Sequence, residues 1–214
     1  MLDDDLKEPL SELVEQWNIA ERRIKKAEQV KGNEIVASAI FELRYAGRKI
    51  IDTIHLSLSE EKTEEDKEKI FAFIADATED CVKSKHDAID AMLDFITLWL
   101  HNTEKEIGLG KLQELFPEYL DVTSKIFDVQ EKISASRQDR VAGRDIIYNG
   151  IEDNDYDAIL ALYDKIRRSR DRVYEIVASD ERAKKKDKIT QRVSMGLGAL
   201  GLIVGLFSLY ISFR

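Results

Sequence analysis

The chain has 214 residues, 43% of them hydrophobic, 35% charged and 8% aromatic, with a net charge of −9 at neutral pH. It is too charged for a polytopic membrane protein and too apolar to stay disordered. Ten Gly and two Pro are too few for the turns of a many-stranded β protein, and the single cysteine, Cys81, excludes an intrachain disulfide framework and a Cys-rich zinc site.

Pro9 suits the opening turn of a first helix, and Leu10, Leu13, Val14, Trp17, Ala20, Ile24 and Ala27 keep helical spacing after it. Gly32 is expected to stop this helix and Asn33 to cap the next. The second helix carries Val36, Ile40, Leu43, Gly47, Ile50 and Ile54 as a heptad-like stripe. An acidic loop, SEEKTEEDKE, precedes a long third helix, where Thr63 and Asp66 form an acidic variant of the capping box. The stripe resumes with Ile70, Phe73, Ile74, Ala77, Cys81, Ala88, Met92, Phe95 and Trp99, which makes Cys81 a small core residue. Ile89–Leu100 is apolar over most of its circumference, so it is expected either to be buried on several sides or to be covered by a protein partner as a docking helix. Gly108 and Gly110 are expected to close the third helix. Pro117 introduces a fourth over about 118–149, and a fifth begins near Asn154 with Ile159, Leu162, Ile166, Val173 and Ile176 inward.

Between Ala178 and Lys188 the only apolar side chains are alanines, so 178–192 reads as a basic, solvated stalk or hinge. Residues 193–213 then run for 21 positions without a charge. As a helix they span about 31 Å at ~1.5 Å per residue, the thickness of a bilayer's hydrocarbon core. Only Arg214 follows, and MLDDDLKEP contains no apolar signal region, so a single-pass tail anchor is expected. The Lys and Arg residues before the span place the N-terminal head, 1–177, in the cytoplasm. Ser194, Gly198, Gly201 and Gly205 give the span a face of small residues, with Gly201 and Gly205 as a GxxxG pair, and homo-oligomerisation through it is expected.

The charge is split. Lys165–Arg192 carries 11 Lys or Arg against 5 Asp or Glu, a net +6; with +1 from Arg214 this leaves −16 on residues 1–164. An acidic head argues against general nucleic-acid binding, whereas the basic stalk suits an anionic bilayer surface.

An internal echo is also present. Residues 44–51, RYAGRKII, match residues 140–147, RVAGRDII, at an offset of 96. Two related helical hairpins would place Gly47 and Gly143 at matching mid-helix positions, where close helix crossing accounts for a residue that costs about 1 kcal/mol against Ala. Arg44, Arg48, Arg140 and Arg144 around the two glycines are candidate ligands for a small anion, or salt-bridge partners for the acidic head.

No P-loop, dinucleotide fingerprint, nucleophile elbow or HExxH occurs. His55, His86 and His101 have no metal-ligand spacing, and His86 with Asp87 and Asp90 reads as a surface helix face, so neither metal nor cofactor is expected. Arg48 and His55 stand two helical turns apart on one face. Their spelling, Arg-x6-His, resembles the motif of HEPN ribonucleases, which are helical bundles, and the resemblance implies that the two would form an RNA-cleaving pair. Lys49 departs from the polar residue that often follows the Arg of that motif, and Ile151 stands where the second echo copy would need its histidine.

The expected fold is thus all-α, a bundle of four to five long helices with a C-terminal transmembrane helix. The expected function is a non-enzymatic membrane protein whose head binds a partner or small anionic signal, with a bacterial antiviral membrane effector as one specialisation. A membrane-tethered ribonuclease and a plain membrane-anchored adaptor are the alternatives.

Overall fold

The computed structural model of the chain describes residues 4–59, 63–138 and 140–212, leaving aside the side chains of 4, 142, 181, 192, 193 and 196–212. Among these residues every regular element is helical. A 3₁₀ turn, Asp4–Leu6, leads into α1 (Lys7–Val30), followed by α2 (Ala37–Ser57), α3 (Glu64–Ile107), α4 (Leu109–Leu115), α5 (Tyr119–Ser136), α6 (Val141–Ile151), a π-helical turn over Glu152–Tyr156, and α7 (Asp157–Ser212). The chain divides into two compact units, Met1–Tyr163 and Asp164–Arg214.

The first unit is organised by α3, whose 44 residues extend about 66 Å at ~1.5 Å per residue. Its start is fixed by the capping box: the Thr63 hydroxyl accepts from the Asp66 N–H at 3.2 Å, and the Thr63 N–H donates to the Asp66 carboxylate at 3.0 Å. Hydrogen bonding to Thr63 holds the Asp66 carboxyl below its usual range. Gly108, at φ 89°, ends the helix in a conformation that L side chains avoid.

Leu13 and Ala20 of α1, Ala46 of α2, and Ile70, Ile74, Ala77 and Cys81 of α3 form one hydrophobic cluster, with Leu43 and Ile50 packed against it. Burying an Ile side chain contributes about 1.5–3 kcal/mol, so Ile70 and Ile74 are major contributors here. The Cys81 thiol is fully buried in this cluster, and desolvation pushes it up to about 12. The buried line of α2 is Ala39, Ala46 and Thr53, while Ile40 and Ile54 are exposed. Val36, Leu43 and Ile50 of the heptad-like stripe face the core, but Ile40 and Ile54 do not, because the centre of the buried line is taken by small residues that let α2 approach α3 closely. The Ser84 hydroxyl reaches the backbone carbonyl of Ala39 at 2.7 Å.

Gly32 ends α1 as expected, at φ 78°, but Asn33 is also left-handed at φ 70° and caps nothing; α2 starts at Ala37 without a side-chain cap. Gly110 lies inside the short α4 rather than closing α3. The single helix expected over 118–149 is broken into α5 and α6 at Arg137–Arg140. Ile89, Met92, Leu93, Ile96 and Leu100 are at most 3% exposed, so the apolar stretch of α3 is core. Leu98 alone of its large residues is strongly exposed.

Tyr163, early in α7, donates its hydroxyl to the Val30 carbonyl at 3.0 Å and meets Trp99 and Phe95 edge-on at 5.0 and 6.2 Å. In the second unit α7 runs unbroken through the basic stretch, which is exposed from Arg182 to Gln191. Asp164 faces Arg167 and Arg168 at 3.7 and 3.8 Å. Among the described residues no helix is long and apolar enough to cross a membrane; of the expected span, 193–213, the backbone of 193–212 belongs to α7, but only the side chains of Ser194 and Met195 are described.

A Cβ added at Gly47 would sit 3.7 Å from the Trp17 ring, an ordinary van der Waals contact. Gly47→Ala is therefore expected to stabilise the head by about 0.5–1 kcal/mol through helix propensity, read as a higher midpoint in thermal unfolding.

Candidate functional site

Between Asp80 and Asp90 α3 buries polar side chains that no helix could bury alone. Asp80, Ser84, Lys85 and His86 are all at most 5% exposed. Each draws a partner from a neighbouring helix, because an unpaired charge in a core is strongly destabilising. Lys49 of α2 reaches Asp80 at 2.8 Å and Asp76 at 3.5 Å. From α6, Asp145 pairs with Lys85 and lies 3.0 Å from His86 Nε2, while the Asn149 side-chain carbonyl accepts from Lys85 at 2.9 Å. The Tyr148 ring stacks on His86 with centroids 4.0 Å apart, and its hydroxyl donates to Asp90 at 2.6 Å.

The electrostatics follow from these contacts. Hydrogen bonding from His86, with Lys85 beside it, holds the Asp145 carboxyl far below the usual carboxylate range. Desolvation raises Asp87 and Asp90, opposed by Arg144 and Ser38 at Asp87 and by the Tyr148 hydroxyl at Asp90. Burial and the Asp90 charge push the Tyr148 phenol up. His86 Nδ1 is buried with no hydrogen-bond partner among the described residues. The cluster's chemistry is that of a clamp, with its charges turned on one another.

One open depression borders this part of the bundle and another lies further along α3. A cleft of about 630 Å³ lies between α1, α3 and the start of α6, with Phe71, Ile74 and Val141 on its walls and Glu12, Glu79 and Asp145 among its polar groups. A more apolar groove of about 490 Å³ separates the end of α3 from α5, lined by Leu100, Tyr119, Leu120 and Phe127, with Glu104 accepting from the Tyr119 hydroxyl at 3.2 Å.

The residues singled out in the sequence fall in different settings. Arg44 and Gly47 lie mid-α2, but Arg140 is the residue before α6 and Gly143 is in its first turn, so the two glycines do not occupy matching mid-helix positions. The echo copies also run in opposite directions along α3: α2 antiparallel, through Lys49–Asp80 and Ser84–Ala39, and α6 parallel, through Asp145–His86 and Tyr148–Asp90. Arg48 is exposed and forks onto Asp52 with contacts of 2.9 and 3.2 Å. Arg144 interacts with Asp87 and lies over the Tyr148 ring at 5.9 Å. Arg44 and Arg140 are exposed. His55 is exposed near the end of α2, beside Leu58 and Asp66 in a shallow depression that Arg48 does not line.

His86 is the correction with the largest consequence. It is fully buried, not on a surface helix face, and no group of three His, Cys, Asp or Glu side chains suited to a metal occurs among the described residues. Lys85, Asp145, Tyr148 and Asn149 were not singled out by the sequence. The available signal was the polar run Lys85-His86-Asp87 interrupting an apolar stripe. Comparison with known protein families, with curated proteins and with solved structures finds no match.

Asp145→Asn is expected to destabilise the head by about 3 kcal/mol at pH 7, since it leaves the Lys85 charge buried without its counter-ion. Because the Asp145 pKa is depressed on folding, its contribution is present above the ordinary carboxylate range near pH 4 and lost as the pH falls below it. Asp87 and Asp90 are shifted upward and act in the opposite sense, losing stability as the pH rises through their range. The gap in unfolding free energy between wild type and variant should therefore be widest near neutrality and close in acid, as read by denaturant titration at several pH values.

Proposed function

We propose that this chain is a membrane-anchored, non-enzymatic interaction protein, held in the bilayer by residues 193–213 with its helical head on the cytoplasmic side. The observation that carries this reading is the continuity of α7. One unbroken helix backbone links the acidic head to the exposed basic stretch and on into the uncharged segment. The basic residues suit the anionic cytoplasmic leaflet, and the −16 charge of residues 1–164 is repelled by it, so the head stands off the lipid. The belt of Asp80, Lys85, His86 and Asp145 supports a binding role over a catalytic one, since its groups are consumed in holding helices together. Copies in one bilayer are proposed to associate through the small-residue face of Ser194, Gly198, Gly201 and Gly205.

Membrane fractions of cells making the full chain test this directly. The protein should stay in the pellet after an alkaline carbonate wash, move to the supernatant when 193–213 is deleted, and resist protease added outside intact cells. Gly201→Leu with Gly205→Leu should lower crosslinking between spans several-fold while leaving membrane retention unchanged. A wild-type chain found free of the pellet would remove the anchor, and crosslinking indifferent to the paired substitution would remove the glycine face.

A further inference from the structure

We propose that the outward face of α2 is a docking surface for a second copy of this chain, with the two α2 helices crossing antiparallel about a two-fold axis near Arg48. The starting observation is where large apolar side chains are left in water. Phe41, Tyr45, Ile51, Ile54 and Leu58 are between 49% and 77% exposed, and Ile40 is 37% exposed, all on α2 or its C-cap. Among the described residues no other helix of the head carries so many, and a concentration of this kind marks an interface. The opposite side of α2 is already used, with Ala39, Ala46 and Thr53 buried in the bundle.

The order of residues on the free face favours a copy of itself as the occupant. At about 100° per residue, Phe41, Arg44, Tyr45, Arg48, Ile51, Asp52, His55 and Leu58 fall on one side of the helix. In an antiparallel pair centred on Arg48, residues whose numbers sum to 96 lie opposite each other. That register sets Arg44 against Asp52 of the second copy, Tyr45 against its Ile51 and Phe41 against its His55, each contact made twice as a two-fold interface requires. These three pairs are an ion pair, an apolar contact and a ring contact, while Leu58 falls opposite Ser38 and Ile54 opposite Glu42 at the edges. The Arg48 side chains near the axis are each already held by their own Asp52. Each Asp52 would then lie between its own Arg48 and the Arg44 of the other copy, leaving an excess of positive charge at the centre. The rest of residues 1–164 is net acidic and offsets this charge only at long range.

A single helix pair is small beside the ~1,200–2,000 Å² of a stable interface, so the contact is weak between free molecules and is filled when copies are concentrated. It lies wholly within residues 41–58 and is distinct from the glycine face of the proposed span.

The full chain carrying Arg48→Cys, treated in membranes with a mild oxidant, tests this contact. Native Cys81 is fully buried with its thiol pushed up to about 12, so the wild type serves as the blank. Arg48→Cys should yield a covalent dimer, while Phe127→Cys, exposed on α5, should yield at least fivefold less. In the Arg48→Cys background Arg44→Asp should lower the yield severalfold, and adding Asp52→Arg should restore it to within about twofold, because the swapped pair re-forms across the axis. Equal yields from positions 48 and 127, an unrescued charge reversal, or capture of a different protein by position 48 would each overturn the proposal. An alkaline wash of the same membranes keeps the two readings apart: loss from the pellet with the dimer intact tells against the anchor and supports this contact, and retention without dimer does the reverse.

Discussion

The structure depends on one requirement, the pairing of charges that α3 carries into the core. Asp80, Lys85 and His86 lie within two turns of a helix that is covered on several sides, and the cost of leaving such groups bare is several kcal/mol each. Their partners sit on different helices: Lys49 on α2, Asp145 and Asn149 on α6. Satisfying them fixes the direction in which α2 and α6 run along α3 and the level at which each lies against it. An apolar stripe alone would tolerate a slide of one helix past another; a lysine that must meet one carboxylate does not.

Packing then refines what the charges select. Ala39 and Ala46 on α2 face a region of α3 with Ala77, Cys81 and Ser84, and this close approach lets the Ser84 hydroxyl find a backbone carbonyl. The same geometry turns the larger residues of α2 outward. Phe41, Tyr45 and Ile51 are exposed because alanines occupy the buried line, so the seam that holds α2 to α3 also creates the surface from which a second copy is inferred. The buried belt, the alanine seam and the outer stripe are three consequences of one helix placement.

Much of the head was legible as a list of helices. Gly32 as a stop, the Thr63–Asp66 cap, the long third helix, Gly108 as its end and Cys81 as a core residue all rest on local chemistry, where the deciding atoms are within a few residues of each other. The break at Arg137–Arg140 was not legible, because 118–149 keeps helical spacing throughout while Arg140 adopts an extended backbone. Nor was the second glycine's setting: two octapeptides alike at six of eight positions differ when one lies mid-helix and the other straddles a helix start. For the site, the sequence offered His86 beside two acids and nothing to say that a carboxylate about 60 residues away would meet it.

By itself the sequence determined the helical class, the long third helix with its cap and stop, the split between acidic residues 1–164 and basic residues 165–192, and the presence of a 21-residue uncharged segment, since these follow from composition, spacing and nearest-neighbour chemistry. Only the tertiary structure decided that Ile89–Leu100 is core, that α2 buries Ala39 and Ala46 while leaving Ile40 and Ile54 exposed, and that Lys85 and His86 are sealed against α6. The physical reason is that helical periodicity defines faces, whereas the choice between two plausible faces is made by the shape and charge of whatever packs against them.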